Sequence, residues 1–424
     1  MPYSYVQAIS EIRKLSFFGS KPGLERISAL LPLLGNPQKR LRVISVAGSN
    51  GKGSVTAMLS SCLSAAGYHT GAYTSPHLVD FRERICVDGK KITEREFAEI
   101  YARTRRAARA LSPRLQPTLF ELTTAMALLY FAEKKCDFAV LEAGLGGRLD
   151  ATNAARAEMV VIPSISLEHT QILGKTLREI AAEKAGLVKK GSLVVIGEMD
   201  EEAFHEIKRA CFVKGARVIQ AEREVRLESI RLHKFGSEFK AKRKRDYDVR
   251  LSLAGGHQIL NASCALCACE ELGLPKRAIE KGLKAARISG RMQVISRKPL
   301  VVLDAAHNPG AFSALAASLS LFREKPLVLV LGMMRDKDIP GSLAHISSVF
   351  DAIVVNQPKL ARAASAKSVA KLASCACKRV IIVKGARKSL SAARKLAGRQ
   401  GCVVVAGSIY MLSEMLGSKE VLGQ

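Results

Sequence analysis

The chain has 424 residues, 66 Lys and Arg against 38 Asp and Glu, a formal charge of +28 and a hydrophobic fraction of 48%. Such a length implies two or three domains with sizeable cores, and no apolar run reaches the roughly 18–20 residues that a membrane span requires. Residues 1–14 lack a long apolar stretch, so no secretory leader and a cytoplasmic location are expected.

Residues 3–36 are predicted to form helices around a turn at Gly19 to Gly23, with Leu24, Ile27, Leu30 and Leu31 on one helical face. The segment is expected to pack on the first domain and to line a pocket. Next comes RVISVAGSNGKGS at 42–54. Arg42 to Val46 is a β-branched run suited to a buried parallel strand. Gly48, Ser49, Asn50, Gly51, Lys52, Gly53 and Ser54 follow, then a small-residue helix from Val55 that ends at Gly67. Strand, glycine loop and helix together make a phosphate site, because backbone N–H groups approach the anion and the helix N-terminus adds a positive field. Lys52 is expected to reach the outer phosphates and Ser54 to help hold magnesium. The spacing departs from the common phosphate loop, which has Gly six residues before the Lys; that position is Val46.

Tyr73 to His77 leaves a short strand and turns at Pro76. Ser75 is read either as a magnesium ligand or as part of an ordinary hydroxyl turn. Arg82 and Arg84 follow as cations suited to an anionic substrate. Helices are predicted over 93–110 and 118–134, the second with Phe120, Glu121 and Thr123 near its start. Phe138 to Leu141 is an apolar strand that ends in Glu142 before Gly144, Gly146 and Gly147, a carboxylate placed to hold magnesium. A strand from Met159 to Ser166 leads to Glu168 and His169. Lys184 ends a helix, where the macrodipole favours a cation.

FKAKRKRDYDVRLSLAG, beginning at Phe239, reads as a basic surface hairpin. His257, Gln258 and Asn261 open the following helix, and Asn261 either reads a purine edge or caps the helix. The same helix carries Cys264, Cys267 and Cys269; with only Cys375 and Cys377 as another close pair, buried thiols are expected rather than zinc. Residues 286–299 are expected to be a domain junction. Five strand-and-helix repeats follow, a compact Rossmann-like sheet without G-x-G-x-x-G, with Asp304 and His307 at the end of its first strand. From Ala352 to Ser413 there are twelve Lys and Arg and no Asp or Glu, read as a solvated face. With aromatics at 5% and no Trp, nucleic-acid stacking platforms are scarce and no nucleic-acid partner is expected.

Nine stretches in order carry a resemblance: AGSNGKGS (47–54), TSPHL (74–78), FELTTA (120–125), LEAGLGGRLDATN (141–153), ISLEHTQILGKTLREIAAEKAG (165–186), GGHQILNA (255–262), SGRMQ (289–293), LDAAHNPGA (303–311) and GMMRDKD (332–338). Over nearly its whole length the chain resembles the folylpolyglutamate synthase and dihydrofolate synthase family of the Mur ligase superfamily. The resemblance implies an α/β protein: a P-loop-type, mostly parallel sheet domain over 1–288 that binds ATP and folate, then a smaller Rossmann-like glutamate ligase domain over 289–424. It implies ATP-dependent joining of L-glutamate to dihydropteroate or to a folate γ-carboxylate through an acyl phosphate, by a monomer. Ser49 to Ser54 would hold the ATP phosphates. Ser75 and Glu142 would hold one magnesium ion, and His169 a second, with a carbamylated Lys184. Asn261, Arg291 and Asp304 would contact ATP, and Arg82, Phe120, Thr123, Asp150 and His307 would line the substrate site, with His307 near the incoming glutamate.

Three departures from the family pattern stand out. Ser49 replaces the frequent Thr, Glu168 replaces Asp, and Asp304-Ala305-Ala306-His307 replaces Asp-Gly-Ala-His. Two other readings are compatible with parts of the chain. One is a Mur-type ligase for a different carboxylate, and the other is a nucleic-acid-binding ATPase suggested by the charge.

Overall fold

The structure is a computed structural model that describes residues 3–15 and 22–417. Helices Tyr5–Leu15 and Glu25–Leu33 match the expectation for the first segment, while most of the predicted turn at Gly19 to Gly23 lies outside the described residues.

Eight strands form the first sheet: β1 (Arg42–Val46), β2 (Thr70–Tyr73), β3 (Ile85–Val87), β4 (Lys90–Lys91), β5 (Phe138–Glu142), β6 (Ala157–Ile162), β7 (Leu193–Ile196) and β8 (Arg217–Gln220). Their spatial order is β4-β3-β2-β5-β1-β6-β7-β8, parallel except where β3 pairs with β2 and β4. The central strands are apolar and buried on both faces. One face carries the two N-terminal helices together with Glu94–Arg109 and Leu119–Glu133. The other carries Lys52–Ala65, Gly256–Glu271 and Lys276–Ala285. Helix Leu119–Glu133 is apolar all round, which suits a helix covered on every side. Thr118 caps its start and Glu121 closes the box by reaching back to the Thr118 backbone, so the entry point of this helix is set by its own sequence.

The basic hairpin is part of a larger unit. β9 (Arg226–His233), β10 (Gly236–Lys242) and β11 (Asp246–Leu251) make a three-stranded antiparallel sheet packed beside helix Gly256–Glu271. Short strands were expected in the segments up to about Val249, but nothing in the sequence joined β9 to the hairpin, because nearly all of it is exposed and shows no alternation.

The second sheet contains β12 (Gln293–Arg297), β13 (Leu300–Leu303), β14 (Leu327–Leu331), β15 (Ala352–Val355), β16 (Val380–Ile382) and β17 (Cys402–Ala406), ordered β12-β13-β17-β14-β15-β16. Five strands are parallel as expected. The sixth, β12, lies within the predicted junction and pairs antiparallel with β13. The strand expected to run to Ser166 stops at Ile162, because Pro163 cannot donate to a ladder and the chain turns toward the phosphate loop. All ten cysteines are free, and eight of them are buried.

Candidate active site

A cleft of about 390 Å³ lies where the C-terminal ends of strands from both sheets face each other. Its first wall is the loop after β1. Gly51 has φ 85°, and a Cβ there would sit 2.3 Å from Asn261 Oδ1, so only glycine lets the loop pass this close. The loop is held by its neighbours. Ser49 exchanges two 2.9 Å hydrogen bonds with the backbone of Ser166, and the Asn50 N–H donates to Ser164 Oγ at 3.1 Å. Asn308 of the second sheet's lobe donates to Asn50 Oδ1 at 3.2 Å, tying the two walls together. Lys52 folds back and donates to the carbonyls of Gly48 (2.6 Å) and Ser49 (3.1 Å).

Beside this loop stands Glu142, at the end of β5. The Ser75 N–H donates to it at 3.1 Å. Burial pushes its carboxyl up to about 7, against the opposing effects of Lys52 and of the Ser75 N–H. A buried carboxylate so sparsely supplied with donors fits a hard cation. Among the described residues no three His, Cys, Asp or Glu side chains form a metal cluster of their own. A magnesium ion here would therefore draw most of its ligands from phosphate oxygens and water, as that ion commonly does.

His169 follows β6 at φ 45°, an uncommon conformation for a non-glycine residue. Burial and the nearby Lys337 bring its imidazole down to about 4. Lys184 is nearly fully buried and bonded to Glu168 at 2.7 Å. Its role is therefore not that of a solvated helix-end cation. Burial lowers the Lys184 ammonium, while Glu168 is held down at about 2 because Lys52 and Lys184 outweigh its own desolvation.

The second wall comes from the second sheet. His307 Nδ1 lies 2.8 Å from the Ala305 carbonyl, which makes Nδ1 the donor and leaves Nε2 an acceptor. Burial and Lys337 lower it to about 4, so it is neutral at pH 7. Asp304 is buried and accepts from the N–H groups of Met292 (2.9 Å) and Ala306 (2.8 Å), holding the turn that carries His307. Arg291 lines the cleft, as do Lys337, Arg362 and Tyr410. Arg362 donates to the Tyr410 hydroxyl at 2.7 Å and lies over its ring.

The structure brings together Ser49 to Gly53, Ser75, Phe120, Glu142, Asp150, His169, Lys184, Arg291 and His307. Six of the residues named from sequence have other surroundings: Asp304 lies outside the cleft lining with its carboxylate held by the Met292 and Ala306 N–H groups, and Arg84 is buried against His77. Arg82 is not in the cleft; it grips Asp80 (3.0 and 2.7 Å) and lies over Tyr5. Thr123 sits one turn behind Phe120, where its hydroxyl pairs with Tyr73 at 2.8 Å. Ser54 is buried within the first turn of its helix, outside the cleft lining. Asn261 also lies outside the lining, bonded to Gln258 at 3.1 Å and pressed against Gly51. Asp150 reaches the cleft, but its carboxylate is taken up by the N–H groups of Gly144, Leu145 and Thr152 and by the Thr152 hydroxyl. It acts as the anchor of the second glycine loop.

Lys337 and Arg362 are cleft residues that sequence reading did not single out. Lys337 sits in the GMMRDKD stretch, which was a usable signal; Arg362 belongs to the basic run and gave none.

Residues 46–269 match the Mur ligase middle domain and residues 290–409 the Mur ligase glutamate ligase domain. The dihydrofolate synthase/folylpolyglutamate synthase of Bacillus subtilis is 35% identical over 390 residues, covering 86% of this chain and 88% of its own length. The chain belongs to the folylpolyglutamate synthase/dihydrofolate synthase family. Its fold agrees with two solved relatives. The Mycobacterium tuberculosis folylpolyglutamate synthase complexed with ADP and AMPPCP has a TM-score of 0.91 at 32% identity, covering 97% of this chain and 98% of that one. The Escherichia coli FolC in complex with DHPP and ADP has a TM-score of 0.87 at 32% identity, covering 98% and 97%. Membership makes this chain an ATP-dependent ligase that adds glutamate to folates.

Proposed function

We propose that this chain joins L-glutamate to dihydropteroate and to the γ-carboxylate of reduced folates through an acyl phosphate, releasing ADP and phosphate. The observation that supports it most is the opposition of a side-chain-poor phosphate loop and a cationic, imidazole-bearing wall across one cleft. A carboxylate is a poor acyl donor because its leaving group is oxide. Transfer of the γ-phosphoryl group converts that oxygen into phosphate, which the amine of glutamate can displace.

The backbone of 48–53 and the start of helix Lys52–Ala65 receive the ATP phosphates, and Lys52 leaves its carbonyl partners to meet them. Ser75 and Glu142 would hold one magnesium ion, and His169 with Lys184 a second. These ions supply charge neutralisation for the crowded phosphate oxygens. The buried, depressed Lys184 is suited to carbamylation, since its amine is more readily neutral and so able to attack CO₂. The apolar part of the cleft, with Leu119, Phe120, Leu145 and Leu173, accepts the flat pterin-bearing substrate. Lys337 and Arg362 bind the carboxylates of the incoming glutamate, and His307 Nε2 accepts a hydrogen bond from its amine. Domain division at about residue 288 separates the ATP and folate side from the glutamate side, and one chain supplies every group, so a monomer suffices.

The test is mass spectrometry of products from ATP, Mg²⁺ and L-glutamate with dihydropteroate or with tetrahydrofolate. The expected products are dihydrofolate and the diglutamate respectively, each with one ADP. ADP release with neither acceptor overturns the proposal.

A further inference from the structure

The net charge of +28 is not explained by the cleft. Of the twelve Lys and Arg between Ala352 and Ser413, eleven are exposed; only Arg362 turns inward. They concentrate around β16, the edge strand of the second sheet, which pairs only with β15. Lys371 lies on helix Ala366–Ala373, packed on one face of the sheet, and Arg387 and Lys388 lie on helix Ala386–Ala397, packed on the other. Lys378, Arg379 and Lys384 flank the strand itself. Among the described residues none of these six forms an ion pair, although elsewhere exposed Arg and Lys pair repeatedly with acids. With no Asp or Glu in this 62-residue stretch, local neutralisation is denied by the sequence itself.

We propose that this edge is a binding surface for the phosphate backbone of single-stranded nucleic acid, read without sequence preference. Three features select that partner. Unpaired cations on both faces of an edge surround a flexible polyanion better than they meet a plane, which disfavours a bilayer. Ile382 is the one large apolar side chain strongly exposed in the stretch among the described residues, so there is no apolar patch to anchor in lipid or to form the core of a protein interface. Among the described residues this stretch has no exposed aromatic ring for bases to stack on, its one aromatic, Tyr410, being buried, so contact is with phosphate, not base. None of these six basic residues lines the cleft.

The experiment is fluorescence anisotropy of the full chain with a labelled 20-nucleotide poly(U) RNA, titrated at several salt concentrations. Neutralising about five phosphates gives a log–log salt slope near −3.5, or about 100-fold weaker binding between 50 and 200 mM salt. The combined variant K378A/R379A/K384A/R387A is expected to weaken binding at 50 mM salt by at least tenfold and to flatten the slope, with ligase turnover unchanged. R106A/R109A, on the basic helix of the first lobe, is expected to leave binding as it was. No RNA binding at 50 mM salt overturns the proposal. So does equal loss in both variants, and so does binding to phosphatidylserine vesicles without binding to RNA.

Discussion

The two walls of the cleft recognise by different means. The first uses backbone. Its loop is glycine, serine and asparagine, its polar side chains are bonded to Ser166 and Asn308, the Asn50 N–H is bonded to Ser164, and Lys52 is folded onto the loop's own carbonyls. The second uses side chains. Arg291, His307, Lys337 and Arg362 project from the loops that flank β12, β13, β14 and β15. A backbone cradle is built from residues chosen for what they lack, so substitution damages its shape. A side-chain wall can lose one member and keep its shape, so its losses are expected to be graded. The two walls suit their ligands: a triphosphate is the same in every turnover, whereas the second wall must admit an amine and release a product.

The largest effect expected is at the first wall. Lys52→Ala and Glu142→Ala should each lower kcat by roughly 10³ or more, about 4 kcal/mol of transition-state stabilisation, with far-ultraviolet circular dichroism unchanged. Activity within tenfold of the parent in either variant would remove the asymmetry between the walls. Next is the buried pair behind them. Glu168→Gln leaves the Lys184 ammonium without its partner and should cost about 3–5 kcal/mol in urea unfolding; Lys184→Met, which removes the charge, should cost less.

Loss of one cation from the second wall is expected to be milder. Lys337→Ala or Arg362→Ala should raise the KM for glutamate by about 10–100-fold, roughly 1.4–2.7 kcal/mol, and leave the KM for ATP within about twofold. A rise in both constants would show that the walls are not functionally separate.

The imidazole offers a pH test. Folding lowers His307 from its ordinary value to about 4, so the unfolded chain binds the proton more readily. Stability from this residue is complete above pH 6.5 and falls as pH drops toward 4, by an amount of order 3 kcal/mol. In His307→Gln the acid limb of a stability profile should be shallower. The smallest effect is expected at Arg82. Its partly exposed pairing with Asp80 is worth about 1 kcal/mol or less, and Arg82→Gln should leave kcat/KM within about twofold.

Legibility in the sequence divides along the same line. The glycine loops, the strand-ending Glu142 and the five parallel strands were readable because each is a local pattern: a strand, a break in side chains, a helix. His169 and Lys184 were readable as members of motifs, but not their environments, since the 2.7 Å bond of Lys184 to Glu168 joins residues sixteen apart on different elements. Arg82 shows the opposite failure. It has the right charge near the right motif, yet Asp80 two residues earlier caps the same turn and captures it. β12 was missed because it lies at the sheet edge, half-buried over most of its length, with no alternation to read, and the same lack of pattern left β9 unassigned to the hairpin's sheet.

What the sequence determined alone was the set of turns, caps and apolar runs, because these depend on backbone sterics and on neighbours within a few residues. It therefore specified both sheets' parallel strands and the phosphate loop. Only the tertiary structure decided which charges face one another: Arg362 inward against Tyr410, Arg387 outward into solvent, Lys184 against Glu168. Those three side chains carry the same charge. Their fates differ because burial and the nearest partner are properties of distant segments brought together by packing.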